Sequence, residues 1–171
     1  MKHLFSAALL TLTLACTACA TNGTSAQNKP MPVLDIAQTV VKMPLAKGIS
    51  MDDAVESMKI RANKLNIKLV AEMPLSKQIE AMGVKSRRID IYQFCDPLTA
   101  KKMVEYDINF SAYLPCRIAL VEDAQGQGWL VMMNLDMFIQ DPKLSTTLKT
   151  DAIKVRDTLT EIMQAGAKGE W

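Results

Sequence analysis

The sequence predicts an α+β fold: a two-layer domain in which a mixed β-sheet of about five strands has helices packed on one face. Three observations carry this. Short alternating runs are interleaved with segments of helical period, two helix starts are marked by Asp-Pro pairs, and a glycine-containing turn joins the last two strands. The chain has 171 residues, so a single domain is expected behind a leader. No internal repeat is apparent.

Residues 35–41 (DIAQTVV) read as a first strand. Ser50 then reads as an N-cap, with Asp52 and Asp53 in the first helical turn. Met51, Val55, Met58, Ala62 and Leu65 follow at spacings of 4, 3, 4 and 3 on one helical face, which Asn66 closes. Residues 67–71 form a short strand, and residues 75–82 a short helix ended by Gly83. Residues 88–94 alternate, with Ile89 and Ile91 on one face and Tyr92 and Phe94 on the other. Asp96-Pro97 puts an N-cap before a proline at the first helical position, opening a helix to about Tyr106. A loop over residues 107–115 leads to a strand at 117–122, a turn at 123–128 (DAQGQG) and a strand at 129–134 (WLVMMN). Both faces of that last strand are apolar, so it is central, or one face meets a partner or ligand. Asp141-Pro142 repeats the helix-start signal. Leu148, Ala152, Val155, Leu159 and Ile162 then mark a C-terminal helix over 143–165, ended by Gly166.

The start of the chain has a different character. Met1-Lys2-His3 is followed by an apolar run at 4–15, too short for a membrane-spanning helix of roughly 20 residues but suited to a signal peptide. Ala18-Cys19-Ala20 matches a small-residue cleavage site. Residues 1–20 are therefore expected to be a signal peptide, 21–34 a flexible linker and 35–171 the domain. Cys19, in preference to Cys16, stands where a bacterial lipoprotein is acylated, although neither has Leu three residues before it. The expected location is the periplasm, or the membrane through a lipid anchor at that end alone.

Composition narrows the chemistry. The net charge is +2, one unit of it from Lys2, and the short basic clusters at 85–88 and 101–102 give no nucleic-acid footprint. The sole histidine, His3, lies in the leader, so the domain lacks Ser-His-Asp and Cys-His nucleophiles and His-ligated zinc or copper. The scattered glycines make no phosphate loop. Met132, Met133 and Met137 are soft ligands of the kind copper(I) takes. Neighbours on a strand point to opposite faces, however, so these read as packing. No metal, no cofactor and no catalytic residue is expected.

Cys95 and Cys116 both adjoin proline-containing breaks, one where a strand gives way to a helix and one where the next strand begins. If the two strands run antiparallel, both cysteines lie at one end of the sheet; a parallel crossover separates them beyond the about 4.4–6.8 Å of a disulfide. In an exported protein the leading expectation is a structural disulfide, worth roughly 3 kcal/mol for a loop of about 22 residues. Two unpaired thiols are a second reading. A thiol-redox site is the third, with Cys95 as a low-pKa nucleophile at a helix N-terminus and Arg117 a positive charge beside Cys116. Asp96 and Arg117 are the candidate site rim.

Phe94-Cys95-Asp96-Pro97 with the helix behind it, Leu114-Pro115-Cys116-Arg117-Ile118 running into Val121-Glu122-Asp123, and the hairpin strand Gly128-Trp129-Leu130-Val131 resemble the domain of unknown function 302 family. The resemblance spans about residues 40–139, and family members more often carry Asn where Asp96 stands. It implies a compact α+β domain, sometimes dimeric, with a cysteine at one or both positions, and it brings no established activity. The expected function is an accessory module of the cell envelope that binds a small ligand or an envelope protein, with a thiol-redox enzyme as the alternative and a homodimer as a candidate assembly.

Overall fold

Three capping side chains set where the long helices begin in the computed structural model, which describes residues 35–171. The expected signal peptide and linker, with Cys16 and Cys19, lie outside the described residues. Ser50 Oγ accepts from the Asp53 amide at 3.0 Å, and Asp53 Oδ2 accepts from the Ser50 amide at 3.3 Å, a capping box that opens α1 (Met51–Lys64). Asp96 accepts from the amides of Leu98 and Thr99 and opens α3 (Pro97–Tyr106). Ser145 caps α5 (Thr146–Lys168).

Three expected boundaries move. Asp141 does not open the last helix, because it accepts from the Lys143 amide in the turn before Ser145. That helix also runs through Gly166 to Lys168 and ends on Gly169, which is left-handed at φ 67°. Gly166 lies inside it for a packing reason: a Cβ there would sit 2.5 Å from Met58 Cγ and 3.0 Å from Leu130 Cδ1. At the other end, Asp35 accepts from the Ala37 amide and curls Ile36–Thr39 into a 3-10 turn, so β1 is only Val40–Pro44.

The remaining elements are β2 (Lys68–Pro74), α2 (Leu75–Ala81), β3 (Ile89–Cys95), a 3-10 segment (Ile108–Tyr113), β4 (Cys116–Glu122), β5 (Gly128–Met133) and the short α4 (Asp136–Ile139). The sheet order is β1-β5-β4-β3-β2, and every neighbouring pair is antiparallel. The α+β class holds, but the sheet is antiparallel throughout rather than mixed. The α3 connection returns at the end of the sheet it left, so β4 runs back beside β3 instead of crossing over.

Alternation divides the sheet cleanly. Tyr92, Phe94, Ile118, Leu120, Leu130 and Met132 point to one face and are buried. There they meet Met58 of α1 and Ile162 and Met163 of α5, forming the main core. Met132 and Met133 take opposite faces, as their adjacency requires: the first is buried and the second half-buried. A second, smaller cluster of Ile139, Leu144, Leu148 and Ala152 lies at one end, with Met103 and Phe110 packed against it. Neither α3 nor the 3-10 segment contributes a fully buried residue.

Candidate functional site

Antiparallel pairing brings Cys95 and Cys116 to the same end of the sheet, and the register then separates their side chains. Phe94 is the direct partner of Cys116, so those two share the core face. Cys95, one residue further along β3, belongs by alternation to the other face. Both cysteines are free. The expected disulfide is therefore not formed, since a bridge across two antiparallel strands needs both Cβ vectors on one side.

The electrostatics also differ from a reactive thiol pair. Burial pushes the Cys116 thiol up to about 11, with Cys95 adding to the rise and Arg117 opposing it. Cys95 is raised too, first by burial and then by the Asp96 carboxylate. The helix N-terminus that was expected to activate Cys95 is already occupied by an anion. Burial works against the Asp96 carboxylate, yet the Thr99 hydroxyl at 2.9 Å and the amides of Thr99 and Leu98 hold it below the usual carboxylate range. Arg117 is exposed and pairs across β3 with Gln93, so it lies on the face away from Phe94 rather than on the rim beside Asp96.

What the cysteine end of the sheet does form is an apolar pocket of about 80 Å³. Phe94 and Cys116 contribute from the sheet, Ala152, Val155 and Leu159 from α5, and Ala100 and Met103 from α3. Phe110, Tyr113, Leu135 and Phe138 help to enclose it, and Cys95, Asp96 and Thr99 complete one side. Sequence reasoning singled out Cys95, Cys116 and Asp96 but took the α5 residues only as a core stripe. One signal was available: Phe94, Phe110 and Phe138 are three of only four phenylalanines in an aromatic-poor chain, and all three line this pocket. Leu98, Tyr106, Ile108 and Tyr113, on the elements that cover it, remain exposed.

A second cluster that the sequence did not reveal lies around Asp90, which is 5% exposed. Its carboxylate accepts from Arg88 Nε at 2.7 Å, the Tyr92 hydroxyl at 3.3 Å and the Ser76 hydroxyl at 3.4 Å. Arg88 also donates to Asp52 at 2.5 Å. No buried side-chain nitrogen or oxygen of this cluster lacks a partner, so it reads as a buried brace between β3, α1 and α2. Among the described residues no group of three or more His, Cys, Asp or Glu is arranged to hold a metal ion, and no helix is long and apolar enough to cross a membrane.

The raised thiols give a pH prediction. A pKa raised by folding means the neutral thiol is the favoured native form, so this contribution to stability is complete below the ordinary thiol value of about 8.5 and fades as pH climbs towards 11. Iodoacetamide at pH 8 should alkylate Cys116 of the native protein at under about a tenth of the rate seen in urea, and the gap should close with rising pH. Equal rates in both states, with a midpoint near 8.5, would contradict the buried-thiol assignment.

A family model described as "Domain of unknown function DUF302" matches residues 41–166. The crystal structure of an uncharacterized conserved DUF302 protein from Bacillus stearothermophilus is similar, with a TM-score of 0.62 and 15% sequence identity, covering 74% of this chain and 97% of that one. That likeness is one of fold. No curated protein matches the chain.

Proposed function

The chain belongs to the domain of unknown function DUF302 family, and we propose that this member is an exported binding module whose apolar pocket at the Cys95/Cys116 end takes up a small apolar ligand. The observation that carries the reading is the pocket's lining, mainly Phe, Leu, Ile, Val, Met and Ala side chains, in a domain without a histidine. A cavity of about 80 Å³ exceeds the roughly 10–15 Å³ that one water needs, but it offers water few polar partners. An apolar guest gains about 25 cal/mol for each Å² it removes from water, and the Asp96 carboxylate and Thr99 hydroxyl on one side of the pocket are already bonded to each other. α3 and the 3-10 segment contribute no fully buried residue, and such segments open well below the global unfolding free energy, which gives a guest its access.

An accessory role outside the cytoplasm follows from the composition of residues 1–34, with attachment through Cys19 or Cys16 as its anchored form. A thiol-redox role for Cys95 and Cys116 has less behind it. Both thiols favour the protonated form, and the Asp96 carboxylate stands where an activating positive field would be needed.

The test is titration with xenon, an apolar guest small enough for the cavity, followed by xenon NMR on the parent and on Ala152→Leu. Ala152 is buried on α5 and lines the pocket, so leucine adds three carbons inside it. The parent should bind, with a shifted and broadened xenon resonance. In A152L, affinity should fall at least about tenfold while thermal stability holds or rises, as cavity filling generally allows. Equal affinity in the two proteins would place the probe elsewhere and remove the basis of the proposal.

A further inference from the structure

Antiparallel sheets with one face towards solvent usually place polar residues on that face. Here the face away from the helices carries Ile89, Ile91, Val121, Trp129, Val131 and Met133. Their strands adjoin, with Ile89 opposite Val121 and Val121 opposite Trp129. Each is only half-buried, and among the described residues all the helices with buried contacts lie on the other side. A contiguous apolar patch of this kind marks an interaction surface.

The charges around the patch say what fits it. Lys42, Lys68 and Arg117 are exposed on the same face, opposite Val131, Cys95 and Gln93 respectively. No strand residue on this face is an Asp or Glu. The Asp123 carboxylate at the hairpin is engaged by Trp129 Nε1 at 2.8 Å. Lys2 and Lys29 precede the described residues, which leaves 18 Lys and Arg against 18 Asp and Glu, a neutral domain with one cationic face. Lys42 Nζ lies 4.2 Å from the centroid of the Trp129 ring, so an ammonium and an amphipathic indole are presented together. A second copy of the same face has no carboxylate to offer these cations and would set like charges together. We propose that this face docks on the surface of an anionic phospholipid bilayer, independently of any acyl anchor and of the pocket's ligand. The three cations meet lipid phosphates, while Trp129 and the surrounding aliphatic residues rest at headgroup depth.

The test uses the full chain carrying Trp171→Phe, which leaves Trp129 as the only tryptophan and alters only an exposed terminal side chain. It is mixed with phosphatidylglycerol vesicles whose acyl chains are brominated near the headgroup, and with neutral phosphatidylcholine vesicles of the same design. Trp129 fluorescence should be quenched by the anionic vesicles only, released at 0.5 M salt, and lose at least about tenfold in apparent affinity in Lys42→Glu/Arg117→Glu. Lys42→Gln/Arg117→Gln should fall between parent and reversal, and both double variants should melt with the parent, since the two side chains are exposed. Vesicles that carry the protein down without quenching Trp129 would show attachment through the N-terminal segment alone and overturn the proposal. So would equal quenching by neutral lipid, or a dimer in sedimentation equilibrium that shields Trp129 and ignores the charge reversal.

Discussion

Phe94→Ala should lower the stability of the domain by about 3–5 kcal/mol, the range for truncating a buried phenylalanine. Phe94 is 1% exposed, stands between the main core and the pocket, and is one of the largest side chains fully buried in the molecule. Its loss removes favourable transfer of the ring and leaves a void that opens into the existing cavity, so neighbouring side chains cannot simply close it. For a domain of this size the fall corresponds to roughly 10–20 °C in melting temperature. Because the new void is apolar and continuous with the pocket, benzene should restore part of the loss, raising the melting temperature of F94A more than that of the parent. Differential scanning calorimetry with and without benzene reads both effects. A drop below about 3 °C would mean that Phe94 is not packed as described, and no rescue would mean that the void and the pocket are separate.

Asp90→Ala should be nearly as damaging, by about 2–3 kcal/mol. The substitution strips three donors of their acceptor, Arg88, Tyr92 and Ser76. Removing one partner of a fully buried ion pair costs about 3–5 kcal/mol, mainly because the remaining charge is left unsolvated. Two features reduce that figure here: the Arg88 side chain is one quarter exposed, and it keeps its contact with the exposed Asp52. The signature of this mechanism is recovery. Arg88→Met/Asp90→Ala, which removes both charges, should be more stable than D90A alone in urea unfolding. If the double variant is no better, an abandoned charge is not the reason for the loss.

Much of the fold was legible because it is written in local chemistry. Ser50 with Asp53, and Asp96 with Pro97, fix helix starts through hydrogen bonds that span three residues, and alternation at Ile89 to Phe94 sorts the β3 faces without help from the rest of the chain. Errors arose where a short-range bond competed with a pattern. Asp35 curls a segment whose β-branched residues look extended, and Ser145 takes over a helix start signalled by Asp141-Pro142. Gly166 resembled a helix stop, but its meaning is tertiary, since only the approach of Met58 and Leu130 makes a side chain there impossible. The strand order and the antiparallel register belong to the same class, and they decided the fate of the cysteines. Proximity of Cys95 and Cys116 could be framed from the sequence as a conditional. Their placement on opposite faces required the pairing of Phe94 with Cys116. The pocket was less visible still, because five separate segments build it and the two cysteine motifs mark only two of them. The apolar reading of both faces of β5 was correct, and its second face is the one left bare of helices among the described residues.

The central claim, that the apolar pocket is the binding site, is tested most directly by methyl NMR of the protein during titration with xenon. Chemical-shift changes should concentrate on the methyls of Met103, Leu135, Ile139 and Leu159 around the pocket. Met43 on the distant β1 strand and Val131 on the bare face should stay put. Shifts confined to Val131, Met133 and their neighbours, with the pocket methyls unmoved, would contradict it.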